Sequence, residues 1–251
     1  GNPSAETAGL FARFLCERET TRAVMQLIDR YGEEAAPCGV PAPDTGKDAC
    51  VRLCSKGAHA FAAEKTGERC AIAFEDRSLE LWNLTSKTRL TVMEQRGEKI
   101  NALDFDAEAG VIAAACEDNS LRLYDNSGSL IRKLSFSEGA VERVRLFAGE
   151  NRALILLGRM ENGQAKRYIM RIDLATGEWQ NKIRSPLFGH AGFCALPDGR
   201  RFVTSAGAEL YLWDIESGEK IRTFTMEAGE VACAATDDAG ERLLVGSSTG
   251  E

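Results

Sequence analysis

The sequence predicts a mainly β chain assembled from repeated four-stranded antiparallel units. Three observations predict it. Short apolar runs alternate with polar residues at period two. Turn-forming residues punctuate those runs at regular intervals. The whole pattern then recurs roughly every forty residues.

The clearest copy is FGHAGFCALPDGRRFVTSAGAELYLWDIESGEKIRT, residues 188–223. Gly189-His190 opens it, and Phe193–Leu196 is a first apolar run. Pro197-Asp198-Gly199 turns the chain into a second run, Phe202–Ser205. Gly207 and Ala208 permit a tight turn into Leu210–Ile215. There Leu210, Leu212 and Asp214 take one face, and Tyr211, Trp213 and Ile215 the other. Ser217-Gly218 turns the chain again, into Lys220–Phe224. Four strands in about forty residues is the size of one propeller blade.

Related text surrounds Trp82 (CAIAFEDRSLELWNLTSKTRLTV), Tyr124 (VIAAACEDNSLRLYDNSGSLIRKL) and Ile172 (RYIMRIDLATGEWQNKI). Alignment on Trp82, Tyr124, Ile172 and Trp213 gives spacings of 42, 48 and 41 residues. Gly-His, Trp213-Asp214 and the Ser217-Gly218-Glu219 turn resemble the WD-repeat family. The resemblance covers roughly residues 55–251 and implies a β-propeller, in which four-stranded blades are arrayed around a central channel.

In that family a His before the first strand, a Ser or Thr in the second, an Asp in the turn before the third and the Trp form a polar network. The resemblance places Asp76, Trp82, Asp118, His190 and Trp213 in this structural network. Each repeat keeps only part of it. Gly207 stands six residues before Trp213, where Asp76 and Asp118 stand before Trp82 and Tyr124. His59 lies 23 residues before Trp82 but falls in the first strand, a weak match. The Ile172 repeat keeps Asp173 and the Thr176-Gly177-Glu178 turn.

Taken in order, residues 1–49 form an N-terminal segment. Ser4 can cap a helix with Leu10, Phe11, Phe14 and Leu15 on one face, and Thr20-Thr21 a second with Val24, Leu27, Ile28 and Tyr31. Residues 33–49 carry Pro37, Pro41 and Pro43 and read as a linker. The propeller occupies 50–251, with blades at 50–93, 100–134, 141–183 and 192–225. The third is the longest, and its insertion, MENGQAKR at 160–167, falls between second and third strands. An incomplete blade follows at 231–251. About four and a half blades do not close a ring of about seven, the family's common number, so further blades from a longer polypeptide are expected.

Composition narrows the function. At 44% hydrophobic and 27% charged, the chain can bury a substantial core. Its net charge of −7, with Lys and Arg interspersed among acids, lacks the footprint of a nucleic-acid binder. No apolar run reaches the ~18 residues of a membrane span. Cys70, Cys116, Cys194 and Cys233 sit in predicted strands as small buried hydrophobes. Cys38, Cys50, Cys54 and His59 match no C-x-x-C zinc spacing, so no metal is expected. A disulfide among those three cysteines would need an oxidising compartment, and a cytoplasmic setting is expected instead.

Catalytic sets are not evident. Only His59 and His190 are present, and each suits a blade position. Gly46-Lys47 is followed by Asp48, which breaks the phosphate-loop pattern. No G-x-S-x-G, H-E-x-x-H or EF-hand loop occurs. Neither enzymatic activity nor a cofactor is expected. The resemblance implies a platform for binding other proteins within a larger assembly. Its contacts are expected on the turns between second and third strands and on the connections between blades, with Arg77, Arg96, Glu98, Asn119 and Phe188 as candidates. The alternative is a regulatory sensor segment of a multidomain effector.

Overall fold

The computed structural model describes residues 57–64, 66–94, 97–147, 149–185, 193–227, 229–236 and 240–248. The helices and linker expected over residues 1–49 lie outside these residues. Every regular element among them is a β-strand.

Blade 1 contains β1 (Ala58–Ala63), β2 (Arg69–Phe74), β3 (Leu79–Asn83) and β4 (Thr88–Glu94). Blade 2 contains β5 (Ile100–Asp106), β6 (Val111–Cys116), β7 (Ser120–Asp125) and β8 (Leu130–Ser135). Blade 3 contains β9 (Ala140–Leu146), β10 (Arg152–Glu161), β11 (Gln164–Asp173) and β12 (Trp179–Ser185). Blade 4 contains β13 (Cys194–Ala195), β14 (Arg201–Ala206), β15 (Glu209–Asp214) and β16 (Lys220–Thr225). The final pair is β17 (Val231–Thr236) with β18 (Leu243–Ser247). Within each sheet, strands consecutive in sequence are antiparallel neighbours.

The first strands lie side by side: β1 with β5, β5 with β9, β9 with β13 and β13 with β17. They form the inner wall and leave the fourth strands at the rim, the arrangement of a β-propeller. Sheet faces then stack on one another. Leu79 and Leu81 of blade 1 pack with Leu103, Phe105, Ile112 and Tyr124 of blade 2. Leu121 and Leu123 of blade 2 meet Val141, Ile155, Leu157 and Met170 of blade 3. Blade 3 gives Phe147, Leu154 and Ile169 to a cluster with Phe202 and Trp213 of blade 4. Leu196, Val203 and Leu210 pack against Val231 and Ala234 of the last pair. The four clusters therefore lie between sheets.

Each long first strand carries a β-bulge at an equivalent place, leaving His59, Asn101, Glu142 and Ala232 as the extra residues. Two of these side chains reach the next blade. His59 Nε2 lies 2.7 Å from the Ile100 carbonyl oxygen. Asn101 Nδ2 donates to the Val141 carbonyl at 3.0 Å. Bulged residues thus bond backbone oxygens on the neighbouring first strand.

The residue closing each third strand caps the turn that follows. Asp125 Oδ1 accepts from Ser127 N at 2.8 Å and Ser129 N at 2.9 Å. Asp173 Oδ1 accepts from Ala175 N and Thr176 N at 2.9 and 2.8 Å. Asp214 Oδ1 accepts from Glu216 N and Ser217 N, both at 2.9 Å, and Asn83 does the same for Ser86 at 2.7 Å. The acid after the aligned Trp, Tyr or Ile is therefore a turn former. The turns lean on the preceding blade's rim. Gly177, at φ 81°, sits so close to blade 2 that a Cβ would lie 2.9 Å from Leu134. Its backbone conformation favours glycine, and a Cβ would also have to push the Leu134 methyl aside.

Gly177→Ala should lower unfolding stability by about 1–3 kcal/mol, from left-handed backbone strain and the clash with Leu134. An unchanged urea midpoint would show that the rim contact yields freely.

Candidate partner-binding face

One face of the propeller collects the turns between second and third strands and the connections between blades. Hydrogen bonds tie these segments together. In blade 1, Gly97 N donates to Arg77 O at 3.2 Å and Glu75 N to Gly57 O at 2.9 Å. In blade 2, Phe136 N donates to Asn119 O at 2.9 Å and Glu117 N to Lys99 O at 2.8 Å. In blade 4, Met226 N donates to Ala208 O and Val231 N to Gly207 O, each at 2.8 Å. The turns of blades 1 and 2 are braced from both sides, and that of blade 4 by the connection that follows it.

The blade 1 turn holds three residues, Glu75, Asp76 and Arg77. Arg77 N donates to Phe74 O at 3.0 Å, and Phe74 N to Ser78 O at 2.9 Å. Arg77 takes the left-handed position of such a loop, at φ 65°. Asn119 holds φ 59° in the blade 2 turn. Asn tolerates this region, whereas Arg pays steric strain for it. In blade 4 the turn shortens to Gly207-Ala208 between the paired residues Ala206 and Glu209, with Gly207 at φ 57°. The shorter turn explains why glycine replaces Asp there.

Asp76 and Asp118 bind the serine two residues on. Asp76 Oδ1 accepts from Ser78 N at 3.0 Å and Ser78 Oγ at 2.5 Å. Asp118 accepts from Ser120 Oγ, from Arg122 Nη2 at 3.0 Å and from Lys133 Nζ at 2.8 Å. Arg122 is itself buried and also pairs with Glu94 of blade 1. This charge network bridges blade 1 and blade 2 beneath the turns. Burial opposes the Asp118 charge, but the bonds from Lys133, Ser120 and Arg122 outweigh it and hold the pKa down, to about 2. The neighbouring Cys116 thiol is pushed up to about 11, chiefly by burial.

The aligned aromatics differ in how their polar atoms are served. Trp213 Nε1 donates to Thr204 Oγ1 at 2.8 Å, both buried. Trp82 Nε1 donates instead to the buried Glu80 carboxylate, at 3.0 Å. Tyr124 is fully buried, and its hydroxyl has no hydrogen bond among the described residues. Burial, with the Glu94 carboxylate adding, raises its pKa.

Of the predicted contact residues, Arg77, Glu98 and Asn119 are exposed on this face. Arg96, Phe188 and His190 lie outside the described residues. The sequence did not reveal the Glu94–Arg122–Asp118 link, because its members come from two blades and no spacing connects them. Among the described residues no group of three His, Cys, Asp or Glu is gathered to hold a metal ion.

Two predictions concern this layer. Thr204→Val leaves Trp213 Nε1 buried without an acceptor and should destabilise by about 1–3 kcal/mol, whereas Tyr124→Phe removes an unpaired hydroxyl and should be neutral or stabilising. Equal losses from both in thermal unfolding would contradict these assignments. For Asp118, the folded pKa is about 2 against an ordinary value of 3.8, so the unfolded chain binds the proton more readily. Its contribution is full above pH ~5 and disappears as pH falls towards 2, roughly 1–2 kcal/mol after solvent screening. Asp118→Asn should flatten stability across this window in urea titrations.

A family model of the WD domain, G-beta repeat, matches residues 87–125. That span runs from the rim strand of blade 1 through the third strand of blade 2, and so joins parts of two blades.

Proposed function

The chain is a WD-repeat β-propeller protein, and from that premise we propose that it is a non-catalytic scaffold that binds a protein partner through its turn-and-connection face. WD repeats generally serve as platforms for protein–protein interaction. One observation carries the assignment to this face. Arg77 is held at φ 65°, its side chain exposed and forming no hydrogen bond or ion pair among the described residues. Backbone strain of this kind persists where the surroundings enforce it, and it concentrates at functional positions. The braced turns add a second support, since a preorganised surface loses little entropy on binding.

Arg77, Glu98 and Asn119 are the described members of the proposed contact set, and Arg96 and Phe188 complete it. The scaffold works within a larger assembly. A reducing, cytoplasmic setting is proposed with it, supported by Cys70, Cys116, Cys194 and Cys233, which are buried as free thiols.

Affinity purification with the wild-type chain, followed by mass spectrometry, tests the face. Arg77→Glu combined with Asn119→Glu should deplete specific partners, while the rim variant Ile131→Glu should retain them. Identical partner sets from all three proteins would remove the proposal. Arg77→Gly should separate binding from folding. Relief of the left-handed strain should leave stability unchanged or raised by up to about 1 kcal/mol, while partner capture falls.

A further inference from the structure

Strands β10 and β11 have ten residues each, against five to seven in the other full-length strands of the blades. The surplus stands beyond the sheet. β9 pairs with β10 only as far as Ala140 with Gly158, and β12 with β11 only as far as Ser185 with Arg167. The β10–β11 ladder continues alone through Arg159–Lys166, Met160–Ala165 and Glu161–Gln164. Asn162 and Gly163 close it at φ 51° and 77°, the paired positive angles of a type I′ turn. The insertion thus lengthens both strands into a projecting hairpin.

Its two faces differ. Directly paired residues share a face and successive residues alternate. Arg159, Glu161 and Lys166 therefore lie on one side, where the two cations share the Glu161 carboxylate. Arg159 Nε is 2.6 Å from Glu161, and Lys166 also pairs with Glu161. Tyr168 hydroxyl donates to Glu161 at 3.1 Å. Lys182 completes the brace, 3.0 Å from Glu138 and 4.3 Å above the Tyr168 ring. The opposite side presents Met160 and Ala165. Met160 is 69% exposed, the highest value among the large apolar side chains described.

We propose that this hairpin is a fixed finger whose Met160–Ala165 side seats against an apolar, uncharged surface of a protein partner. The proposal rests on the scaffold assignment and names one anchor for it. The charge pattern selects the occupant. Within residues 159–166 every ionised group is on the braced side and paired, and Arg167, at the base of the Met160 side, is held by Glu142 at 2.8 Å, so that side offers no unpaired charge to phosphate, an anionic membrane or an acidic peptide. Methionine suits the role, because its flexible, polarisable side chain adapts to an apolar partner.

Panning a phage-displayed random peptide library against the purified chain tests this. The selected peptides should be apolar and uncharged. Synthetic copies should bind Met160→Glu about tenfold more weakly than wild type, lose less with Met160→Ser, and bind Ile131→Glu normally. Circular dichroism checks that each variant is folded. Charged selected peptides, or full binding to Met160→Glu, would overturn the proposal. If binding depends on Arg77 and Asn119 alone, the finger is wrong and the scaffold face stands. If it depends on neither site, both are wrong. A sedimenting dimer lost in Met160→Glu would make the occupant a second copy and would also overturn it.

Discussion

The structure depends on apolar packing between adjacent sheets. A four-stranded blade has two faces, and in this chain both can be apolar because each is covered by a neighbour. Blade 2 illustrates this. Ile112 and Tyr124 face blade 1, while Leu121 and Leu123 face blade 3, and all four are buried. Buried apolar area of this kind is the main favourable term in folding. A sheet separated from its neighbours would expose two such faces, so stability is a property of neighbouring pairs.

The polar features follow from that packing. Where sheets converge at the inner wall, His59 and Asn101 use bulges to reach the next first strand. Where they diverge at the rim, the gap is closed by turns such as that at Gly177, which rests on Leu134. Between these levels, the Glu94–Arg122–Asp118 network joins blade 1 to blade 2. Buried charge is tolerated there because each ion has a partner.

These constraints leave the turns as the place where the chain can vary. The turn at Arg77 accepts a strained residue because Gly57 and Gly97 hold its backbone on either side. The hairpin at Asn162 extends because its new residues pair with each other and need nothing from the sheet. A scaffold with a rigid interior and adjustable turns can present different side chains on successive blades without altering its core.

The sequence by itself determined the repeat and most of its strands. Period-two burial and turn residues sufficed, as Lys220–Phe224 and Phe202–Ser205 show against β16 and β14. It also placed the insertion at 160–167 between second and third strands, although not that it would lengthen both. It could not reveal contacts between blades, such as Arg122 with Glu94, because residues 28 apart in the chain meet only after the sheets stack. Nor does it tell which donor serves which acceptor: the second strand offers Trp213 both Thr204 and Ser205, and only the fold shows that Thr204 makes the bond. Above all, a period has no starting point. The family match runs from 87 to 125, yet the blade runs from β5 to β8. Spacing determines how often the unit recurs. Only hydrogen bonding between strands decides where each sheet begins, because that choice depends on which edges meet in space.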